Sequence, residues 1–176
     1  SVDEDDEIRF KYNRQGEVKE IRDQNATVHA FDFDKLGRET QDRATALGSD
    51  VVGSVRRIAS SFEVRGNREK ITSWNSETVG SGSVVNEVQF LYNEFGQITH
   101  DYQAHGGTVN ISTTPNVQCG YADGSHNSIR PTTLTYPNDR VLTYSYGSAD
   151  SMADALSRMD SIVDDDIDET HLADYS

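Results

Sequence analysis

Apolar and polar side chains alternate along much of the chain. Ile8-Arg9-Phe10-Lys11-Tyr12 does so, Phe31-Asp32-Phe33 repeats the pattern, and Val88-Gln89-Phe90-Leu91-Tyr92 stays close to it. A period of two sends successive side chains to opposite faces of an extended backbone, so these runs predict strands with one wet face. Short polar segments closed by glycine separate the runs, at residues 13–16, 34–37, 93–96 and 122–124. They predict hairpin turns, where glycine takes up positive φ at little cost.

Aligned on those turns, the strands form an internal repeat. Phe10-x-Tyr12-x-x-x-Gly16 recurs as Phe31-x-Phe33-x-x-x-Gly37, in part as Phe62-x-x-x-Gly66, and again as Phe90-x-Tyr92-x-x-x-Gly96. Cys119-x-Tyr121-x-x-Gly124 is a shortened copy, and the Gly-to-Gly steps are 21, 29, 30 and 28 residues. A second strand is expected after each turn, at 18–21, 39–42, 70–74 and 97–100, and residues 132–146 form a last hairpin turning at Pro137-Asn138-Asp139. One hairpin cannot bury its own apolar face, so the units are expected to stack sideways into a continuous all-β sheet. The aromatic residues at the strand ends would then face one another across strands. Two stretches admit a helix as well as a spacer strand. Val51, Val52, Val55 and Ile58 fit a helical stripe, and Ser151 is placed to cap a short helix carrying Met152, Leu156 and Met159.

Composition changes this picture in one respect. The apolar fraction of 34% is low beside the roughly 45–50% of ordinary globular domains. Either much of the chain faces water, or its core is partly supplied by other sequence. The formal charge of -14 comes from 30 acidic and 16 basic residues, and five acids lie in residues 1–7 and five more in 164–169. The body between is only mildly acidic, and no basic stripe offers itself to phosphate, which argues against nucleic acid. No run of about 18 apolar residues crosses a membrane. Any targeting peptide lies outside this sequence, since the amino end carries no basic and apolar leader. Cys119, the single cysteine, excludes an internal disulfide framework.

The repeated unit resembles the Rhs or YD-repeat family, whose hallmark is an aromatic-alternating strand followed by Asp, a small turn and Gly-Arg. Phe31-Asp32-Phe33-Asp34-Lys35-Leu36-Gly37-Arg38 is a near-complete copy. Tyr12-Asn13-Arg14-Gln15-Gly16 and Tyr92-Asn93-Glu94-Phe95-Gly96 put Asn for Asp and Glu or Gln for Arg, while Tyr136-Pro137-Asn138-Asp139-Arg140 keeps Arg but has Asp in place of Gly. The likeness covers residues 8–146. It implies consecutive β-hairpins forming a strip of a spiral shell, which encloses a toxic segment in bacterial toxins and insecticidal toxin complexes and serves adhesion in animal teneurins. The chain is then expected to be a structural, non-enzymatic piece of a longer secreted or cell-surface protein, bacterial in origin. Residues 1–7 and 160–166 would be acidic inter-repeat linkers, and 147–176 a spacer, a linker and the start of a further strand. Its expected partners are flanking repeats of the same longer chain, an enclosed toxin segment, or other copies met through strand edges. No Asp-Pro dipeptide of the kind found in the family's autoprotease region occurs.

Candidate chemistry is sparse. Cys119 with His105 or His126 is the one thiol-imidazole combination, but Cys119 occupies the aromatic slot of a repeat strand, which favours packing. His100, His105 and His126 lack zinc spacing, and the acidic runs lack the central glycine of a calcium-binding loop, which favours solvated linkers. With 30 acidic residues some carboxylate pair is inevitable, so a hydrolase pair carries no signal. Asn25-Ala26-Thr27 and Asn110-Ile111-Ser112 fit the glycan acceptor pattern. No catalytic, metal or cofactor site is therefore expected. The rival to a shell segment is an adhesive, carbohydrate-stacking or fibre-forming module that uses the aromatic set.

Overall fold

The computed structural model describes residues 7–122 and 129–165, and the backbone of 171–174. Thirteen strands and one helical turn make up these residues. The strands are β1 (Arg9–Tyr12), β2 (Val18–Arg22), β3 (Val28–Phe33), β4 (Glu39–Ala46), β5 (Arg57–Phe62), β6 (Arg68–Trp74) and β7 (Val84–Tyr92), followed by β8 (Ile98–Ala104), β9 (Asn116–Tyr121), β10 (Pro131–Thr135), β11 (Val141–Ser145), β12 (Ser161–Asp164) and β13 (His171–Asp174); the helix is α1 (Met152–Ala155). Strand order in the sheet is strand order in the sequence. The chain divides into two compact units, Ser1–Gln89 with Gln103–Thr114, and Phe90–Tyr102 with Pro115–Ser176.

The turns explain why the chain folds back on itself so regularly. At 13–17, 34–38, 63–67 and 93–97 the N–H of the first residue donates to the carbonyl of the fifth, and the N–H of the fourth donates to the carbonyl of the first. The fourth residue carries positive φ: Gly16 at 86°, Gly37 at 76°, Gly66 at 98° and Gly96 at 78°. This is the three-residue hairpin loop closed by a bulge, which feeds the right-handed twist of its strands. A further register shift follows one rung into the strands, at Lys11/Tyr12, Asp32/Phe33 and Ser61/Phe62.

Two further copies lack glycine. The 136–140 turn has the same bonds with Asp139 at φ 66°, and the 23–27 turn has them with Ala26 at φ 64°. The stretch between β2 and β3, expected as a spacer, is thus itself a hairpin turn, and β2 pairs directly with β3.

Among the described residues neither unit shows an apolar core of the usual kind: the buried apolar residues there are Ala44 in the first unit and Tyr102 in the second. Polar groups hold the best-covered positions instead. Glu87, 5% exposed, accepts hydrogen bonds from Thr72 Oγ1 (2.8 Å), Lys70 Nζ (3.3 Å) and the Val109 N–H (3.0 Å). Arg57, 3% exposed, donates to the Thr78 carbonyl at 2.6 Å and lies 4.6 Å from the Trp74 ring centroid. Each buried charge is accompanied by hydrogen bonds, which is the condition under which burial is tolerated.

Three expectations change. Residues 51–55 have no regular structure and Ile58 lies in β5, so the helical stripe there is not formed. The second helix exists but is short: Ser151 Oγ accepts the Asp154 N–H at 3.2 Å, and the helix ends at Ala155, leaving Leu156 and Met159 outside it. The expected acidic linker at 160–166 contains β12, which pairs with β11. Its Asp164 is 6% exposed because Arg140 reaches across and donates to it through Nε at 2.9 Å. The neutralised carboxylate stays in the sheet instead of pulling the strand into water.

Candidate functional site

In every turn but 136–140 the first residue builds the local frame with its side chain. Asp34 Oδ1 accepts the N–H of Leu36 (2.8 Å) and of Arg38 (3.1 Å), while Oδ2 accepts Arg38 Nε at 2.7 Å. Burial pushes the Asp34 carboxyl up, but the hydrogen bonds from Arg38 and Leu36 and the Arg38 charge outweigh it and hold the group below its ordinary value. Asn13 accepts from Gln15 and Glu17, and Asn93 from Phe95 and Gln97, in the same geometry. Glu63 takes the role with a longer arm, accepting from the Asn67 N–H and from Arg65 Nε. Asp and Asn suit this place because their short side chains mimic a turn of backbone.

In the 34–38 turn the fifth residue reaches the next hairpin: Arg38 lies with its guanidinium carbon 4.1 Å from the Phe62 ring centroid. Within the β10–β11 hairpin Arg130 stands 5.0 Å from the Tyr146 centroid, and Arg140 5.8 Å from that of Tyr136, the first residue of its own turn. The aromatic residues were expected to face one another across strands; the close ring pairs instead run along one strand, at Phe10–Tyr12 (6.5 Å), His29–Phe31 (6.3 Å) and His100–Tyr102 (5.7 Å). Between the second and third hairpins Arg38 covers the Phe62 ring. The cation brings quadrupole attraction and an ion pair at once, which a second ring cannot. Phe90 and Tyr92 end β7, and Tyr121 ends β9 with its hydroxyl donating to the Ile98 carbonyl at 3.0 Å. Gly124, like His126, lies outside the described residues.

A cleft of about 280 Å³ lies in the first unit beside the 13–17 turn, lined among others by Glu17, Lys19, Phe31, Phe33, Asp32 and Asp34. β2 and β3 pair over three positions, Glu20↔Ala30 to Arg22↔Val28, and the cleft opens beyond Glu20. The departure from the repeat at Glu17, acid where Arg38 is base, is visible in the sequence. That it leaves a hollow is visible only in the structure.

The other candidates find different employment. Burial first, and the charge of Asp101 second, raise the pKa of the half-buried Cys119 thiol, the wrong direction for a nucleophile. Burial likewise raises Tyr144 and Tyr146, and Tyr146 donates to the Pro131 carbonyl at 3.0 Å. Among the described residues no three His, Cys, Asp or Glu side chains converge as metal ligands, and no helix is long and apolar enough to cross a membrane. Asn25 is bonded through its side chain to Ser49, and Asn110 caps its own turn by accepting the Ser112 N–H.

No family model matches the chain, and no curated protein does. Among solved structures 26 chains match. One, described as the crystal structure of TcdB2-TccC3-Cdc42, is 11% identical over 96% of this chain and 9% of its own length, with a TM-score of 0.39. The chain therefore spans less than a tenth of that molecule.

Proposed function

We propose that the chain is a non-enzymatic length of β-hairpin strip of the Rhs or YD-repeat kind, part of the wall of a shell in a large secreted or cell-surface protein. The observation that carries the reading is the recurrence of one turn: six copies among the described residues, each with a positive-φ fourth residue, strung along a sheet whose strand order is the sequence order. A sheet with almost no apolar core of its own is a wall element rather than a self-sufficient domain. The polar side chains that dominate it are spent on capping turns and crossing to the next hairpin. Among the described residues the Cys119 thiol has a raised pKa, the wrong direction for a nucleophile.

Electron microscopy of the natural full-length protein tests this. The expected result is a continuous β-strip wall containing these hairpins. A separate globular domain with a closed core at residues 8–146 would overturn the reading.

A second reading is favoured by β1. It is the outermost strand of the sheet order, and Ile8, Phe10 and Tyr12 are 54%, 50% and 61% exposed. An open, aromatic edge is a template for another strand, so self-assembly through β1 is the alternative. Size-exclusion chromatography with negative-stain imaging separates the two. Monomers at every concentration, without filaments, exclude the fibre former.

A further inference from the structure

The second and third hairpins show how the space beside a turn is ordinarily filled. Arg38, fifth in its turn, crosses to the next hairpin, 4.1 Å from the Phe62 centroid, and its Nη1 is 3.5 Å from where a Cβ on Gly66 would stand. Beside the first turn the fifth residue is Glu17. It crosses in the same way, with Oε1 2.8 Å from where a Cβ on Gly37 would stand. Phe33 immediately precedes its turn, as Phe62 does. The two places are equivalent in the repeat, except that Phe62 lies under an internal guanidinium while Phe33 is among the residues bordering an open cleft.

We propose that this cleft receives an arginine side chain from another polypeptide, supplying in trans the guanidinium that Arg38 supplies in cis. The acid groups around it are unequal. Asp32 is held by Arg43 through two bonds at 2.9 and 3.1 Å, and Asp34 by Arg38. Glu17, which lines the cleft, accepts from the Asn13 amide through one oxygen at 2.5 Å, and its Oε1 has no hydrogen bond among the described residues. That oxygen is the acceptor for the incoming group. A planar, weakly hydrated guanidinium can stack on Phe33 while donating to a carboxylate, which a compact ammonium does less well. At about 280 Å³ the cleft falls just under the usual range for whole small-molecule ligands, roughly 300–1,000 Å³, and suits a single side chain. Lys19 on its wall opposes a second cation, so binding is held weak while Lys19 stays. The inference does not depend on the chain walling a shell.

The test is an amide-resolved NMR titration of the folded chain with acetyl-Gly-Arg-Gly-amide, against the same peptide carrying citrulline, which keeps the shape and loses the charge. Saturable shifts at Glu17, Phe33 and Gly37 are expected with arginine, with citrulline at least tenfold weaker. Glu17→Arg should fill the cleft from within, raising the Tm and abolishing the shifts. Glu17→Gln, which keeps the bond to Asn13, should weaken binding severalfold, and Lys19→Ala should tighten it. An equal response to both peptides, or undiminished binding in Glu17→Gln or in folded Glu17→Arg, overturns the proposal.

Discussion

Ala26 sits at φ 64° in the fourth place of its turn. For a side chain with a Cβ the left-handed region costs about 1–2 kcal/mol, whereas glycine there adds only about 0.4–1 kcal/mol of unfolded-state freedom. The first term wins, so Ala26→Gly should stabilise the first unit by roughly 0.5–1 kcal/mol, read as a higher urea midpoint. Gly37→Ala should act oppositely and more strongly, by about 1–2 kcal/mol, since the new Cβ also meets Glu17 Oε1. A lower midpoint for Ala26→Gly would mean the turn is not held as described. The charge on Asp34 makes a separate prediction. Its folded pKa lies below the ordinary 3.8, so the unfolded chain binds the proton more readily. The stabilisation is complete above that ordinary value and is lost as pH falls through the lower folded value. Asp34→Asn retains the turn geometry seen at Asn13 and Asn93 but not the charge. The Tm difference between wild type and Asp34→Asn should therefore be constant at mild pH and close in acid.

At the scale of elements, the first unit is braced by a pin rather than a core. Glu87 on β7 ties β6 through Thr72 and Lys70 to the segment after β8 through the Val109 N–H, and the Gly107 N–H adds a bond to the Val85 carbonyl. Glu87→Ala strands three donors, at about 1–3 kcal/mol for each group left buried and unpaired. The expected outcome is faster hydrogen exchange at Val109 and Gly107 together with a lower midpoint. Unchanged exchange at both would show that the segment is held by other contacts. Elements of this kind were unevenly legible in the sequence. The strand pairs around Gly16, Gly37, Gly66 and Gly96 could be read because positive φ leaves a glycine as its mark. The 23–27 turn left none, since Ala26 adopts the same φ without advertising it. β12 was hidden in an acidic run because the cation that neutralises Asp164 is Arg140, a strand away. The Glu17 cleft was half legible: the acid at an arginine position can be seen, but what the missing guanidinium leaves open depends on Phe33 and Gly37 across the gap.

For the molecule as a whole, a sheet in which each hairpin leans on its neighbours has no reason to unfold as one block. Stability in such an array is a sum of local terms and nearest-neighbour contacts, and cooperativity can break between compact units. The chain carries two natural reporters for this. Trp74, its one tryptophan, ends β6 in the first unit, and Cys119, its one cysteine, lies in β9 in the second. Tryptophan fluorescence in urea follows the first unit. Thiol labelling follows the second, because burial raises the pKa of the half-buried Cys119 and labelling should quicken as β9 opens. The two transitions should have different midpoints, and Ala26→Gly should move the fluorescence midpoint while leaving the labelling midpoint nearly still. Coincident curves that shift together would instead require a change at a first-unit turn to be transmitted to β9, making the two units one cooperative body.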